Sequence, residues 1–374
     1  MKKTHITFAL LVLLAVFALY AYRAEIRSYL FQPTGSVLES GKTEGAAQDE
    51  EVIADKLNIP WEIAFLPGGD LLVTERPGRM LRIGTGRSAI EVSGVAHRGE
   101  GGLLGLALHP DFVRNGWIYL YMTTASGDGL MNRVERYVLR GTILSERTVI
   151  IEHIPGAANH DGGRIAFGPD GMLYITTGDA GDENRSQDTK TLAGKILRVN
   201  GDGTIPSDNP FGNAVYSYGH RNVQGIAWDD TGQLWATEHG RSGVRSGYDE
   251  LNKIVKGANY GWPVIEGDES REGMVSPQVN SGPSETWAPS GMAYLRGHVL
   301  FAGLRGASLY VADISSGRAA DVKAYVRGTY GRLRTVALGP DGMLYVLTNN
   351  RDGRGNPIAS DDRIIKVDPA SLGL

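Results

Sequence analysis

Cysteine is absent from this chain, which excludes disulfides, thiolate metal sites, cysteine catalysis and lipid attachment at cysteine. Excess charge of either sign is missing too. The net charge is −4 over 374 residues, so nothing invites nucleic acid or an anionic membrane surface. There is no Gly-Lys-Ser/Thr phosphate loop, no His-Glu-x-x-His metal helix and no nucleophile elbow. The run Gly99-Glu100-Gly101-Gly102-Leu103-Leu104-Gly105 imitates a dinucleotide loop, but its glycine spacing is wrong and no βαβ pattern surrounds it. Long amphipathic helical patterns are lacking beyond the N-terminal segment, which leaves strands as the building element.

Glycine, by contrast, is abundant at 51 residues, as many short strands joined by tight turns require. A polar turn leading into a short apolar strand recurs six times: at residues 65–74, at 109–112 running into 117–121, and at 168–177, 228–237, 294–302 and 339–348. Recurrence at roughly 40–65 residues marks a repeat architecture, and four-stranded repeats of about this size build propeller blades. A further strand-like segment follows each copy, at 79–83, 133–139, 195–199, 249–255, 308–314 and 362–367. These tend to alternate apolar and polar residues, as half-buried strands do. The expected fold is all-β, a six-bladed β-propeller over residues 51–374. Residues 52–57 are expected to complete the last blade, and insertions are expected between the third and fifth repeats. Such a ring gathers its chemistry at the mouth of its central channel.

The N-terminus stands apart. Lys2 and Lys3 precede an apolar run from Ile6 to Tyr22, within the usual spanning range of about 17–25 residues. No clean small-residue cleavage site follows, so residues 1–31 read as a signal anchor in preference to a cleaved signal peptide. The lysines would stay in the cytoplasm and the rest would be extracytoplasmic, in the periplasm or at the cell surface. Residues 32–50 read as a flexible tether.

Several polar residues sit beside the repeat strands, where blade loops reach the channel. Asn159-His160-Asp161-Gly162-Gly163-Arg164 enters one strand hairpin and Thr177-Gly178-Asp179 leaves it. A hairpin returns its ends to one side, so His160 and Asp179 are placed to meet. A carboxylate accepting from one imidazole nitrogen makes the other nitrogen a base. An isolated histidine there reads instead as a turn cap. Arg221 in Tyr218-Gly219-His220-Arg221-Asn222, Arg305, and the pair Arg332 and Arg334 suit an oligo-anion, because guanidinium forks match carboxylates. Singly, each is also what a solvated surface arginine looks like. Glu238-His239-Gly240-Arg241, Asp249-Glu250 and Asn259-Tyr260-Gly261-Trp262 offer carbonyls and carboxylates to a hard cation such as calcium, or form a plain acidic loop.

Taken in order, these segments resemble the soluble quinoprotein glucose dehydrogenase and aldose sugar dehydrogenase family. The matching motifs are Glu100-Gly101-Gly102-Leu103-Leu104-Gly105 with His109-Pro110-Asp111-Phe112, His160 with Gly163-Arg164, and Gly178-Asp179. Gly194-Lys195-Ile196-Leu197-Arg198, Gly219-His220-Arg221-Asn222-Val223-Gln224-Gly225, Asn259-Tyr260-Gly261-Trp262-Pro263 and Ala288-Pro289-Ser290 continue the series. The likeness runs from about Ile59 to Pro369.

The resemblance implies a six-bladed propeller using pyrroloquinoline quinone (PQQ) and calcium. It places the catalytic histidine at His160 and its supporting aspartate at Asp179. It implies cofactor contacts at Arg221, Asn222, Thr286, Arg332 and Arg334, with Arg305 at a position where the family has lysine. Glu100 stands where a glutamine often touches substrate or quinone. The carbonyls of Gly240 and Arg241 would hold the calcium that touches the quinone. Glu250 and Tyr260 would hold a second one, with Asp268 or Glu269 as acidic partner. The chain departs from the family at Arg241, where proline is common, in a longer loop at 242–248, and at Ser284, where glucose enzymes have a stacking aromatic. Trp287 is expected to compensate.

The activity implied is oxidation of aldoses at C1 to lactones, with electrons passed to an external quinone or cytochrome. Two other classes stay open. A calcium-dependent hydrolase propeller, lactonase-like, wants several carboxylates and asparagines round one ion, whereas this chain offers mainly arginines. A non-catalytic binding propeller has no need of His160, Asp179 and the arginines together.

Overall fold

The computed structural model describes residues 50–374 apart from 128, 244 and 245. Six antiparallel sheets of four strands each form the blades. Their innermost strands are Pro60–Phe65, Leu103–Leu108, Ile165–Phe167, Val223–Trp228, Pro289–Leu295 and Leu333–Leu338, and these pack against their neighbours around the channel. Each continues through a hairpin into the next strand outward. The ring is closed by its own N-terminal strand. Glu50–Ala54 pairs with Ile364–Val367, Val52 opposite Ile365, as the fourth strand of the last blade. That strand lies earlier than the expected 52–57 and takes Glu50 out of the expected tether. The expected membrane segment, 1–31, and the rest of the tether lie outside the described residues. Among the described residues no helix is long and apolar enough to cross a membrane.

The second strand of each hairpin is the most apolar because it is covered on both faces. Every residue of Leu71–Glu75, Leu234–Glu238 and Leu344–Thr348 is buried. Each fully buried Leu, Val or Ile contributes about 1.5–3 kcal/mol, so the hairpins carry the cores between blades. The alternation expected of the third strands fails at Lys195–Val199, which is buried throughout. Lys195 is tolerated there because its ammonium donates to the carbonyls of Arg185, Ser186 and Ala193 at 2.9, 3.0 and 2.5 Å. The fourth blade ends in a strand of only two residues, Val279–Asn280, after a long loop that reaches the channel mouth.

The connections between blades, and those leaving each second strand, emerge together at the end of the channel opposite the hairpin turns. Buried polar side chains plug the channel below that mouth. Arg164 crosses from the third blade to Glu62 of the first, donates its Nε to the Gln224 carbonyl at 2.9 Å and lies over the Trp61 ring.

Candidate active site

His160 sits at the entrance to the third blade with φ +59, and Asp179 at the exit of its first hairpin. The His160 Nδ1 lies 2.7 Å from Asp179 Oδ1. Gly178 permits this approach, since a Cβ there would stand 1.9 Å from the His160 carbonyl oxygen. Asp179 also accepts from the Gly181 N–H at 2.8 Å and from the Trp262 indole at 3.0 Å. Burial pushes the Asp179 carboxyl up, but the hydrogen bond and charge of His160, the Gly181 N–H and nearby Arg221 hold it below its ordinary value. It is a carboxylate at neutral pH, suited to orienting an imidazole.

Arg221 and Asn222 lead into the fourth blade. The Arg221 N–H donates to Glu238, its Nη2 to Ser242 Oγ at 2.9 Å, and its guanidinium lies 5.3 Å from the Trp262 ring centre. Asn222 accepts the Gly162 N–H at 3.0 Å, beside His160. Arg332 binds Asp352 at 2.9 Å and Arg334 binds Gln224 Oε1 at 2.7 Å. Burial lowers the proton affinity of Arg221 and, strongly, of Arg334. Arg221 Nη1, Asn222 Nδ2, Arg332 Nε and Arg334 Nε are closed off and find no partner among the described residues. A protein seldom leaves buried donors unpaired.

A cavity of about 250 Å³ opens next to these residues, walled in part by Glu100, His239, Thr286, Arg305, Arg332 and Arg354; His160, Asp179, Arg221, Asn222 and Arg334 do not line it. A larger one of about 480 Å³ adjoins it towards the rim and shares Leu304, Arg305, Arg332 and Arg354. We take the smaller as the candidate site because it alone reaches Glu100, Asp249 and Thr286. Glu100 ties it to the His160–Asp179 pair, accepting the His160 N–H at 3.0 Å. Arg305 reaches the loop at 242–246, donating to the Gly243 carbonyl at 3.0 Å and to Ser246.

The residues expected around calcium divide into two groups. Gly240 and Arg241 border the cavity, and the Arg241 carbonyl accepts the Gly247 N–H at 3.4 Å. Glu250 is half-buried and lies opposite Glu238 on the neighbouring strand. Burial and the Glu238 charge push it well above its ordinary value. Tyr260 commits its hydroxyl to the Lys253 carbonyl at 2.7 Å and the Val255 N–H at 2.8 Å, leaving only its carbonyl as a ligand. Asp268 and Glu269 are exposed and bond to Asn280 and the Glu266 N–H. The acidic neighbour of Glu250 is therefore Glu238, not either of these. Among the described residues no group of three or more His, Asp or Glu side chains assembles as a metal site.

Several residues take places at the site other than those expected from the sequence. Trp287 does not stack in the pocket. It is 2% exposed and packs against Phe301 and Tyr310 in the core. The aromatic at the site is Trp262, bound to Asp179. Asp249 organises the cavity wall: Oδ2 accepts from the Thr286 hydroxyl at 2.7 Å and from the N–H groups of Trp287 and Ala288 at 2.7 and 2.9 Å, while Oδ1 accepts the Gly240 N–H at 2.9 Å. His239 also lines the cavity, and burial brings its ring down to about 4, so it is neutral. Adjacent acidic residues and a histidine between Glu238 and Gly240 were the available signals.

Residues 57–360 match the Glucose / Sorbosone dehydrogenase family. The aldose sugar dehydrogenase of Escherichia coli strain K12 is 34% identical over 346 residues, which cover 82% of this chain and 92% of that protein. Quinoprotein glucose dehydrogenase B of Acinetobacter calcoaceticus is 35% identical over 276 residues, covering 64% and 57%. The PQQ-bound aldose sugar dehydrogenase structure from Streptomyces coelicolor is 45% identical, covers 85% of this chain with 96% of its own, and superposes with a TM-score of 0.80. Because the family match spans most of its length, this chain belongs to the glucose/sorbosone dehydrogenase family.

Proposed function

We propose that this protein oxidises aldose sugars at C1 to lactones, with PQQ and calcium bound in the mouth cavity, and delivers the electrons to an external acceptor, a membrane quinone or a cytochrome. The observation that carries this reading is the meeting of His160 and Asp179 beside a set of buried, unpartnered donors. A polycarboxylated quinone is the kind of molecule that satisfies such donors, so the residues fit it. For calcium, the Gly240 and Arg241 carbonyls at the cavity and the Glu238–Glu250 pair below offer oxygen ligands of the type that hard cations take. When bound, the quinone supplies the acceptor for the C1 hydride and the calcium supplies a Lewis acid.

The chain's own part follows from the geometry. Asp179 accepts from His160 Nδ1, which fixes the proton there and frees Nε2 as the base for the anomeric hydroxyl. As the ring becomes an imidazolium, Asp179 stabilises it, and the Trp262 indole and Gly181 N–H keep the carboxylate in place. Arg221, Arg305, Arg332 and Arg334 bind and orient an anionic cofactor. Thr286, set by Asp249, and Asn222 add neutral donors. The charged and apolar start of the chain supports an extracytoplasmic propeller anchored near such an acceptor.

Apoprotein should gain dye-linked aldose oxidation only when given both PQQ and calcium, measured across an aldose panel. Removing calcium with a chelator should abolish turnover and re-addition should restore it. His160→Ala should lower kcat by about 10²–10⁴-fold with cofactor affinity retained. Full activity in that variant would remove His160 from the reaction.

A further inference from the structure

The family resemblance makes Glu100 a contact for substrate or quinone. Its surroundings show another use. Oε2 accepts the main-chain N–H of His160 at 3.0 Å, and Oε1 is held by the Arg354 guanidinium at 2.8 Å. The Glu100 N–H in turn donates to the Ala158 carbonyl at 2.8 Å, so the loop at Glu100 and the turn carrying His160 are bonded twice. Arg354 comes from the loop joining the second and third strands of the sixth blade. Its N–H donates to Asp352 Oδ1 at 2.9 Å, and Asp352 Oδ2 holds Arg332 at 2.9 Å. A continuous chain of bonds therefore runs from His160 through Glu100, Arg354 and Asp352 to Arg332. Burial opposes ionisation of Glu100, but Arg354, the His160 N–H and the charges of His239 and His160 bring it down to about 2.

We infer that Arg354 is a positioning residue for the base: through Glu100 it holds the backbone of His160 in place and balances the negative charge facing the ring. The inference rests on the reading of His160 as the base. The charged and titratable groups round His160 and Glu100 are Asp179 on the blade of His160, Glu100 from the preceding connection, Arg354 and Arg76 beside Glu100, His239 across the cavity, Arg221 beside Asp179 and Asp161 next in the chain. Of these, Arg354 is the cation bonded directly to Glu100. Removing it leaves the carboxylate near the imidazole less compensated, which favours the imidazolium. Removing the Glu100 charge leaves Arg354 alone, which disfavours it.

The test uses the full chain with ring-labelled histidine. His160→Asn identifies the His160 resonance among the eight histidines. In the apoprotein, Arg354→Met should raise the pH midpoint of the His160 titration by about 0.5–1 unit, and Glu100→Gln should lower it by a similar amount. Arg354→Lys should restore the wild-type midpoint. In the cofactor-loaded enzyme the acid limb of kcat/KM should move the same way in each variant. Shifts of one sign in both variants, or none in either, would overturn the inference, and Glu100→Gln alone decides it should Arg354→Met fail to fold. If the apoprotein midpoints move in opposite directions but His160→Asn remains fully active, the coupling stands and the assignment of the base falls.

Discussion

In the turns that close the first hairpins of blades three, four and six, one aspartate carboxylate in each is used locally. Asp170, Asp229 and Asp341 each accept the N–H two residues on, at 3.1, 2.9 and 3.2 Å, and each takes an aromatic O–H or N–H at 3.0 Å from the strand that follows. Gly171, Gly232 and Gly342 supply the left-handed residue these turns need, with φ of +77, +80 and +77. At the other end of the same strands, side chains are more deeply buried and less well paired. Arg221, Arg332 and Arg334 are 6%, 7% and 4% exposed, yet each keeps a closed-off nitrogen without a partner. The turn end is complete as protein. The mouth carries the cost of unpaired buried donors, which is reasonable only where a ligand completes it.

Substitutions at the two ends should therefore behave in opposite ways. The largest effect is expected from Arg334→Met. A charge-assisted hydrogen bond to the cofactor contributes about 1.5–3 kcal/mol, so PQQ affinity measured by spectroscopic titration should fall about 10–100-fold. Apoprotein stability should change by only about 1 kcal/mol, because keeping an underpaired charge buried is itself costly. Unaltered affinity together with a large loss of stability would assign Arg334 to the channel plug alone.

Asp161 gives an intermediate effect. Burial pushes it up to about 6, against hydrogen bonds from Asn132 and the Ala157 N–H, and its Oδ2 has no partner. The folded state therefore holds the proton more tightly than the unfolded chain. Stability falls as pH rises from about 4 to 6, and the loss is complete above that. Asp161→Asn should exceed wild type by about 1–3 kcal/mol in chemical denaturation at pH 8, with the gain vanishing near pH 4. Glu100, held near 2, has the opposite sign: its contribution is present above about 4.5 and lost as pH falls towards 2. The smallest effect should come from Asp341→Ala in a turn. It removes bonds to Met343, Tyr345 and Lys366 and should cost about 1 kcal/mol, with turnover and cofactor affinity unchanged. A change in either would mean that the two ends are coupled.

The inner hairpins were legible because their signals are local: a Gly-Asp turn and then an apolar run that two sheets cover. The outer strands were less so. Ile143–Gly156 faces solvent along much of its length, and Val279–Asn280 has too few residues to make a pattern. Within the site, His160 and Asp179 lie on one hairpin, so their meeting could be expected. Trp262 and Asp179 are 83 positions apart, and Asp249 and Thr286 are 37 apart. No local pattern joins such pairs. Asp268 and Glu269 looked suitable beside Glu250 by proximity in sequence, but the loop turns them outward and Glu238, on the neighbouring strand, faces Glu250 instead.

Local sequence by itself determines the repeat, the turn chemistry and the kind of side chain offered at each blade edge, because these depend on residues a few positions apart. Only closure of the ring decides which offers become a site. It seals four donors away from water, sets Asp249 behind the cavity wall and lets Arg354 of the last blade grip Glu100 beside His160. Such contacts arise from the curvature of the whole ring, which brings together residues that share neither a strand nor a turn.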